Sequence, residues 1–270
     1  MSTGYHVVVL GSLVPDLLQT LEPVQGPTGP GLKNEMMLPA VLDPWAGHAL
    51  FEAAHVAAAH PGSKVWLVSL GPKAKLQQLM MSIAQKVPFE LVAVDGSASG
   101  FHDAFDVAEA LAAAIERIPA LDRSRLLLFG GCASASRDAG ATVQMVGERL
   151  GITDQFLSAD ELTVAADGAF TVLERVEGGQ YLASKVAGPP CAIAWATGNL
   201  PEPPNNPQVG MANMRGIMPA LQKAPSVQVG AQGGTTFMSV ELPKQERKTR
   251  IVKDVPLDEM AREIAEWIKA

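Results

Sequence analysis

Only two cysteines, Cys132 and Cys191, occur in 270 residues. They are too few, and lack the spacing, for a metal cluster or a disulfide framework, and they suit a reducing compartment. Positive charge is also short: the net charge is −7, which excludes a general electrostatic attraction to nucleic acid or to anionic membranes. No apolar run reaches the length of a membrane span, and the N-terminus lacks the basic start and long apolar stretch of a secretory signal. A cytoplasmic location is therefore expected. The five histidines, His6, His48, His55, His60 and His102, form neither H-x-x-x-H nor H-E-x-x-H, so zinc has no evident ligand set. There is no G-x-S-x-G elbow, no local nucleophile signature around Cys132, and neither of the glycine-rich phosphate motifs G-x-G-x-x-G and G-x-x-x-x-G-K-[ST]. No autonomous catalytic residues are readable, and the expectation is a binder, not an enzyme.

Against these absences stands one informative stretch, Arg125 to Leu150. Leu126 to Phe129 is a wholly apolar run of the kind a sheet covered on both faces requires. Gly130 and Gly131 end it, and Cys132-Ala133-Ser134-Ala135-Ser136 then offers only small side chains. Their backbone N–H groups and two hydroxyls can approach a phosphate or ribose closely. A helix is expected from near Asp138, with Val143, Val146 and Leu150 at helical spacing. Ligands of open α/β sheets sit at the carboxyl ends of strands, so this loop points to a nucleotide.

The remainder alternates strands and helices. His6 to Leu10, Lys64 to Leu70 and Val87 to Val94 read as strands, and helices are expected after Asp43-Pro44, over 73–86 and over 103–118. The pattern predicts an α/β fold with a mostly parallel, doubly wound sheet. Residues 22–40, rich in proline and glycine, are expected to form an irregular loop. Glu161–Ala165, Ala169–Val176 and Gln180–Val186 predict an antiparallel hairpin add-on, and Cys191–Ala196 a short buried strand that rejoins the sheet. The prolines between 201 and 225 argue against a long regular element there and for an exposed, braced loop carrying Met211, Met214 and Met218. An extended, partly charged stretch follows, and Pro256 to Ala270 predicts an amphipathic helix with Leu257, Met260, Ile264, Trp267 and Ile268 on one side. Two parts are expected: residues 1–225 as the α/β nucleotide-binding body with hairpin and docking loop, and 226–270 as a C-terminal arm and helix that dock on a partner.

Taken in order, these motifs resemble the β (small) subunit of electron transfer flavoproteins over nearly the whole chain. Val14-Pro15-Asp16 matches the family's V-P-D turn, Asp43-Pro44-Trp45 its N-P-F helix start, and Val68-Ser69-Leu70-Gly71-Pro72 its V-S-x-G-P strand end. Gly131 to Met145 matches its strand, loop and T-G-Q-M helix, with Thr142, Gln144 and Met145 identical. Glu174 to Gly179 stands for the E-x-x-G-G turn, Pro190 to Ile193 for the P-A-V strand, and Gly210 to Ile217 for the N-x-P-R-Y-A-S/T-L-x-x-I segment. The tail and last helix resemble the forms that serve methylated-amine dehydrogenases in methylotrophs.

The resemblance implies a heterodimer in which an α subunit holds most of the FAD and this chain supports it, docks a flavin dehydrogenase and accepts its electrons. It also implies a structural AMP, in a pocket carried over to Leu10, Asp43, Pro44, Trp45, Ala46, Leu70, Gly131, Ser134, Ser136, Arg137, Gly140, Ala141 and Thr142. Partner docking would fall to Met211, Met214, Arg215 and Ile217, with Met214 as the apolar anchor. The pocket departs from the family pattern: Ser136-Arg137-Asp138 and Gly140-Ala141 replace its acidic run and Asn-Gln, and Leu17 replaces an aromatic near the flavin. Backbone donors with Ser134, Ser136 and Thr142 remain to hold AMP. Two rivals on the same fold are an ATP-dependent enzyme, which the missing lysine motif opposes, and a regulatory nucleotide-binding module, which would be a homodimer without a flavin partner.

Overall fold

The computed structural model describes residues 4–27, 29–97, 101–136, 140–198, 201–230, 233–241, 249 and 251–269. The chain divides into two compact units, Met1–Val240 and Glu241–Ala270. In chain order the first holds β1 (His6–Leu10), β2 (Leu13–Pro15), β3 (Pro23–Gly26), β4 (Gly29–Leu32), β5 (Ala40–Leu42), α1 (Pro44–Ala59), β6 (Lys64–Gly71), α2 (Lys73–Ile83), β7 (Glu90–Asp95), α3 (Ala104–Glu116), β8 (Leu126–Gly131), α4 (Thr142–Arg149), β9 (Asp154–Val164), β10 (Phe170–Arg175), β11 (Tyr181–Val186), β12 (Cys191–Trp195) and α5 (Pro207–Lys223). The second holds α6 (Leu257–Lys269).

Eight strands form the main sheet in the order β11-β10-β9-β12-β8-β1-β6-β7. The run from β9 to β7 is parallel, whereas β10 pairs antiparallel with both β9 and β11. The central strands read as continuous apolar runs because helices cover both faces. All five residues of β1 and of β12 are buried. Alternate side chains feed two cores. Val7 and Val9 join Leu127, Phe129, Ile193 and Trp195 under α1, α2 and α5. Val8 and Leu10 join Val68, Leu128 and Ala192 under α3 and α4. This is the doubly wound α/β fold expected from the sequence.

Three features differ from the expectation. Residues 22–40 are not irregular: β3 and β4 make a two-stranded ribbon and Glu35–Met37 a single 3-10 turn, with β5 following to pair with β2. The hairpin does not stand apart from the sheet but extends it. The stretch after Pro201 is largely one helix, α5, of 17 residues. Asn206 caps it by accepting from the Gln208 and Val209 N–H groups, and Pro207 occupies the first turn, where a missing N–H costs nothing. Pro219 lies inside the helix on its exposed side.

The hairpin is tied to the sheet through Asp160, which lies where the β9–β10 register shifts. Its carboxylate, 5% exposed, accepts from Arg175 Nη2 at 2.7 Å, Tyr181 Oη at 3.1 Å and Thr197 Oγ1 at 2.8 Å. Burial pushes this carboxyl up, but the hydrogen bonds from Thr197, Arg175 and Tyr181 together hold it below its ordinary range. A depressed folded-state pKa gives stability that is present above the unfolded value, about pH 4, and lost as pH falls through the folded one. The urea midpoint of the wild type should therefore fall from pH 5 to pH 3 more steeply than that of Asp160→Asn, and parallel curves would refute the assignment.

Residues 225–237 run beside β7 and α3. Asp95 N–H donates to Pro225 O at 2.9 Å, Gly233 N–H to Asp106 at 3.1 Å and Thr235 N–H to Asp103 at 2.9 Å, and Phe237 packs edge-on against Phe101. They cover the edge that β7 would leave open. In the second unit, Leu257, Met260, Ile264, Trp267 and Ile268 of α6 are exposed.

Candidate functional site

β1, β6 and β8 end side by side, and the strand order reverses at β1: the chain leaves it toward β6 and β7 and returns to β8 on its other side. Open α/β sheets bind ligands at such a switch point. A cavity of about 250 Å³ lies there. Leu10 and Leu70 line it from the strand ends, Asp43 and Ala46 from the start of α1, and Gly131, Ser134, Ser136, Gly140 and Thr142 from the loop after β8. Pro44 is exposed at the first turn of α1, and Trp45 backs the loop instead of lining the cavity. Ala141 caps α4 by its backbone and is not in the wall. Arg137 falls outside the described residues.

The loop is packed so tightly that two glycines are obligatory. A Cβ on Gly131 would stand 2.5 Å from Cβ of Trp45, and one on Gly140 would lie 1.8 Å from the Cys132 carbonyl oxygen. Cys132 N–H donates to Trp195 O at 2.9 Å and fixes the loop to the end of β12.

Asp43 organises the loop. It is 1% exposed. Oδ1 accepts the Trp45 N–H at 3.1 Å, capping α1, while Oδ2 accepts the Ser134 hydroxyl at 3.1 Å and the Ala135 N–H at 2.9 Å. The hydroxyls of Ser134 and Ser136 lie 2.8 Å apart, and Ser136 N–H donates to Ser134 Oγ at 3.2 Å. Burial raises the Asp43 carboxyl above its ordinary range, and the hydrogen bonds from Ala135, Trp45 and Ser134 offset this only in part. Burial also raises the Cys132 thiol, and pushes Cys191 up to about 12. Neither is poised as a thiolate nucleophile.

These contacts bear directly on the AMP that the resemblance implies. The Ala135 N–H and Ser134 hydroxyl, expected to hold its phosphate, already serve Asp43. The described part of the loop therefore does not fit a phosphate at that point.

The far wall was missing from the sequence reading. Glu35, Met36 and Leu38 line it from the turn before β5, Lys75 from α2, and Ser97 and His102 from beyond β7. Lys75 Nζ donates to the Leu38 carbonyl, and Ser97 Oγ lies 3.4 Å from His102 Nε2. The strand-end rule, applied to β7 as well as to β8, would have found Ser97 and His102.

The residues expected to dock a partner all lie on α5, but not on one surface. Met211 is 63% exposed, Arg215 is exposed and Met214 is half-buried against the core. Ile217 is 1% exposed and packs inward, so it holds the helix down. Asn213 adds a polar clamp: it accepts the Phe89 N–H at 3.3 Å and donates to the Ala84 and Val87 carbonyls at 2.7 and 2.8 Å.

Among the described residues, no group of His, Cys, Asp and Glu could hold a metal ion. No helix among them is long and apolar enough to cross a membrane. A search of curated proteins found no match to the chain. The family profile described as the electron transfer flavoprotein domain matches residues 34–227, a span that takes in the cavity's α1 and β8 walls and the whole of α5. With most of its length matched, and a switch-point cavity where that match lies, the chain belongs to the electron transfer flavoprotein domain family.

Proposed function

We propose that this chain is the β (small) subunit of a heterodimeric electron transfer flavoprotein of the methylotroph type, working in the cytoplasm. It supports an FAD held mainly by the α subunit and docks a flavin dehydrogenase whose electrons the flavin accepts. FAD supplies the redox chemistry; the protein supplies position and electrostatic surroundings. The observation that carries the reading is the family match across a body that leaves apolar side chains uncovered. Leu17, Leu18, Met36 and Met37 are 51–92% exposed in the loops between β1 and α1. Leu17, directly after Asp16, offers an apolar contact suited to a flavin edge. In the second unit, the stripe of α6 has no cover of its own and is assigned to the α subunit. Met211 and Arg215 present the docking face, and Met214 anchors it.

The test is co-expression with an α subunit of the same family. A heterodimer with one FAD per pair is expected, with Met214→Ala slowing electron transfer from the dehydrogenase at limiting concentration. A colourless homodimer would overturn the subunit assignment, and an unchanged rate for Met214→Ala would overturn the anchor.

A further inference from the structure

We propose that the cavity at the switch point takes an uncharged heterocyclic ligand of the nucleoside class and discriminates against a nucleotide, because Asp43 already occupies the place a phosphate would take. The inference rests on the reading of this cavity as the family's ligand site. A phosphate at a strand-to-helix turn is recognised by converging donors: helix N-terminal N–H groups, loop N–H groups and small hydroxyls. The described donors of this kind converge on one carboxylate. Trp45 N–H at the start of α1, Ala135 N–H in the loop and the Ser134 hydroxyl all donate to Asp43, at 2.9–3.1 Å. The negative charge that this arrangement holds is built into the chain.

The environment makes a second anion costly. Asp43 is almost wholly removed from water, so its charge is weakly screened and a phosphate in the same wall would meet it at low dielectric. Lys75, the cation lining the cavity from α2, is turned to the Leu38 carbonyl across the site. The remaining walls favour a flat apolar body: Leu10, Val68, Leu70 and Val143 surround the space, with Ser12 and Ser97 at polar points. This combination of apolar walls and a few placed polar groups is what a small uncharged heterocycle requires.

The experiment uses the complex purified with its α subunit, stripped of small ligands and titrated calorimetrically with adenosine and with AMP. Wild type should bind adenosine at least about tenfold more tightly than AMP, as like-charge juxtaposition demands. Asp43→Asn cannot accept the Ala135 N–H and the Ser134 hydroxyl through its amide nitrogen. The variant should therefore gain about tenfold or more in AMP affinity, with adenosine little changed. AMP binding to the wild type as tightly as adenosine, or binding of neither, would overturn the proposal. The comparison in the wild type decides the matter even if the variant folds poorly. The FAD absorbance of the same sample reports separately on the subunit assignment, so failure of one is distinguishable from failure of the other.

Discussion

Replacing Asn213 by alanine is expected to cost about 3–5 kcal/mol, since each buried polar group left unpaired costs about 1–3 kcal/mol. The side chain is buried and makes three hydrogen bonds to the backbone that joins α2 to β7, satisfying the Phe89 N–H and the Ala84 and Val87 carbonyls. No other partner is recorded for those three contacts, and alanine leaves a space too small to hydrate all of them. The loss also bears on function. Asn213 stands between Met211 and Met214, so its clamp sets the angle at which α5 presents both. Urea denaturation measures the first effect and electron transfer from the dehydrogenase the second. A cost below about 1 kcal/mol, the net worth of an ordinary hydrogen bond, would show that the clamp is not needed.

Trp195→Ala should be comparably damaging, at about 3–5 kcal/mol for a large aromatic removed from a core. Trp195 is fully buried at the end of β12, edge-on to Phe129 with ring centroids 5.3 Å apart. Its indole N–H has no hydrogen-bond partner among the described residues. Trp195→Phe therefore gives up volume but also removes an unpaired buried donor, and about 1 kcal/mol is the expected balance of these opposing changes. The two variants measured side by side, by thermal or urea denaturation, separate packing from polarity. Equal losses would mean that the indole N–H is satisfied after all.

The central strands were legible because burial on both faces leaves a plain signature: HVVVL, LLLF and CAIAW have no polar interruption. The β3–β4 ribbon was not, because its two strands pair only with each other and none of their residues is buried. Without a buried side there is no alternation to read. The prolines before α5 misled for a different reason. Pro207 is at a helix start, where its fixed φ helps, and Pro219 gives up a hydrogen bond to a carbonyl one turn back while Ile217 and Leu221 hold the helix to the core. In the site, the loop after β8 was visible as a run of small residues following a strand. Asp43 was visible as a cap. Its second role, as the acceptor for Ser134 and Ala135, joins residues 91 and 92 positions apart, and no local pattern encodes such a contact. The far wall comes from loops at three separate strand ends, where periodicity carries no information.

The position of β12 has a consequence for biosynthesis. β8 ends at Gly131 and β12 begins at Cys191, yet the two are neighbours, and β9 reaches the sheet only through β12. A ribosome thus releases β1, β6, β7 and β8 well before the strand that must lie beside β8. Until then β8 presents an unpaired, apolar edge, the kind that recruits other chains. Its three β-strand successors cannot shield it, because β9, β10 and β11 have no place in the sheet without β12. Changes that delay or weaken β12 will accordingly lower the yield of native protein through association of nascent chains, even where the finished fold tolerates them.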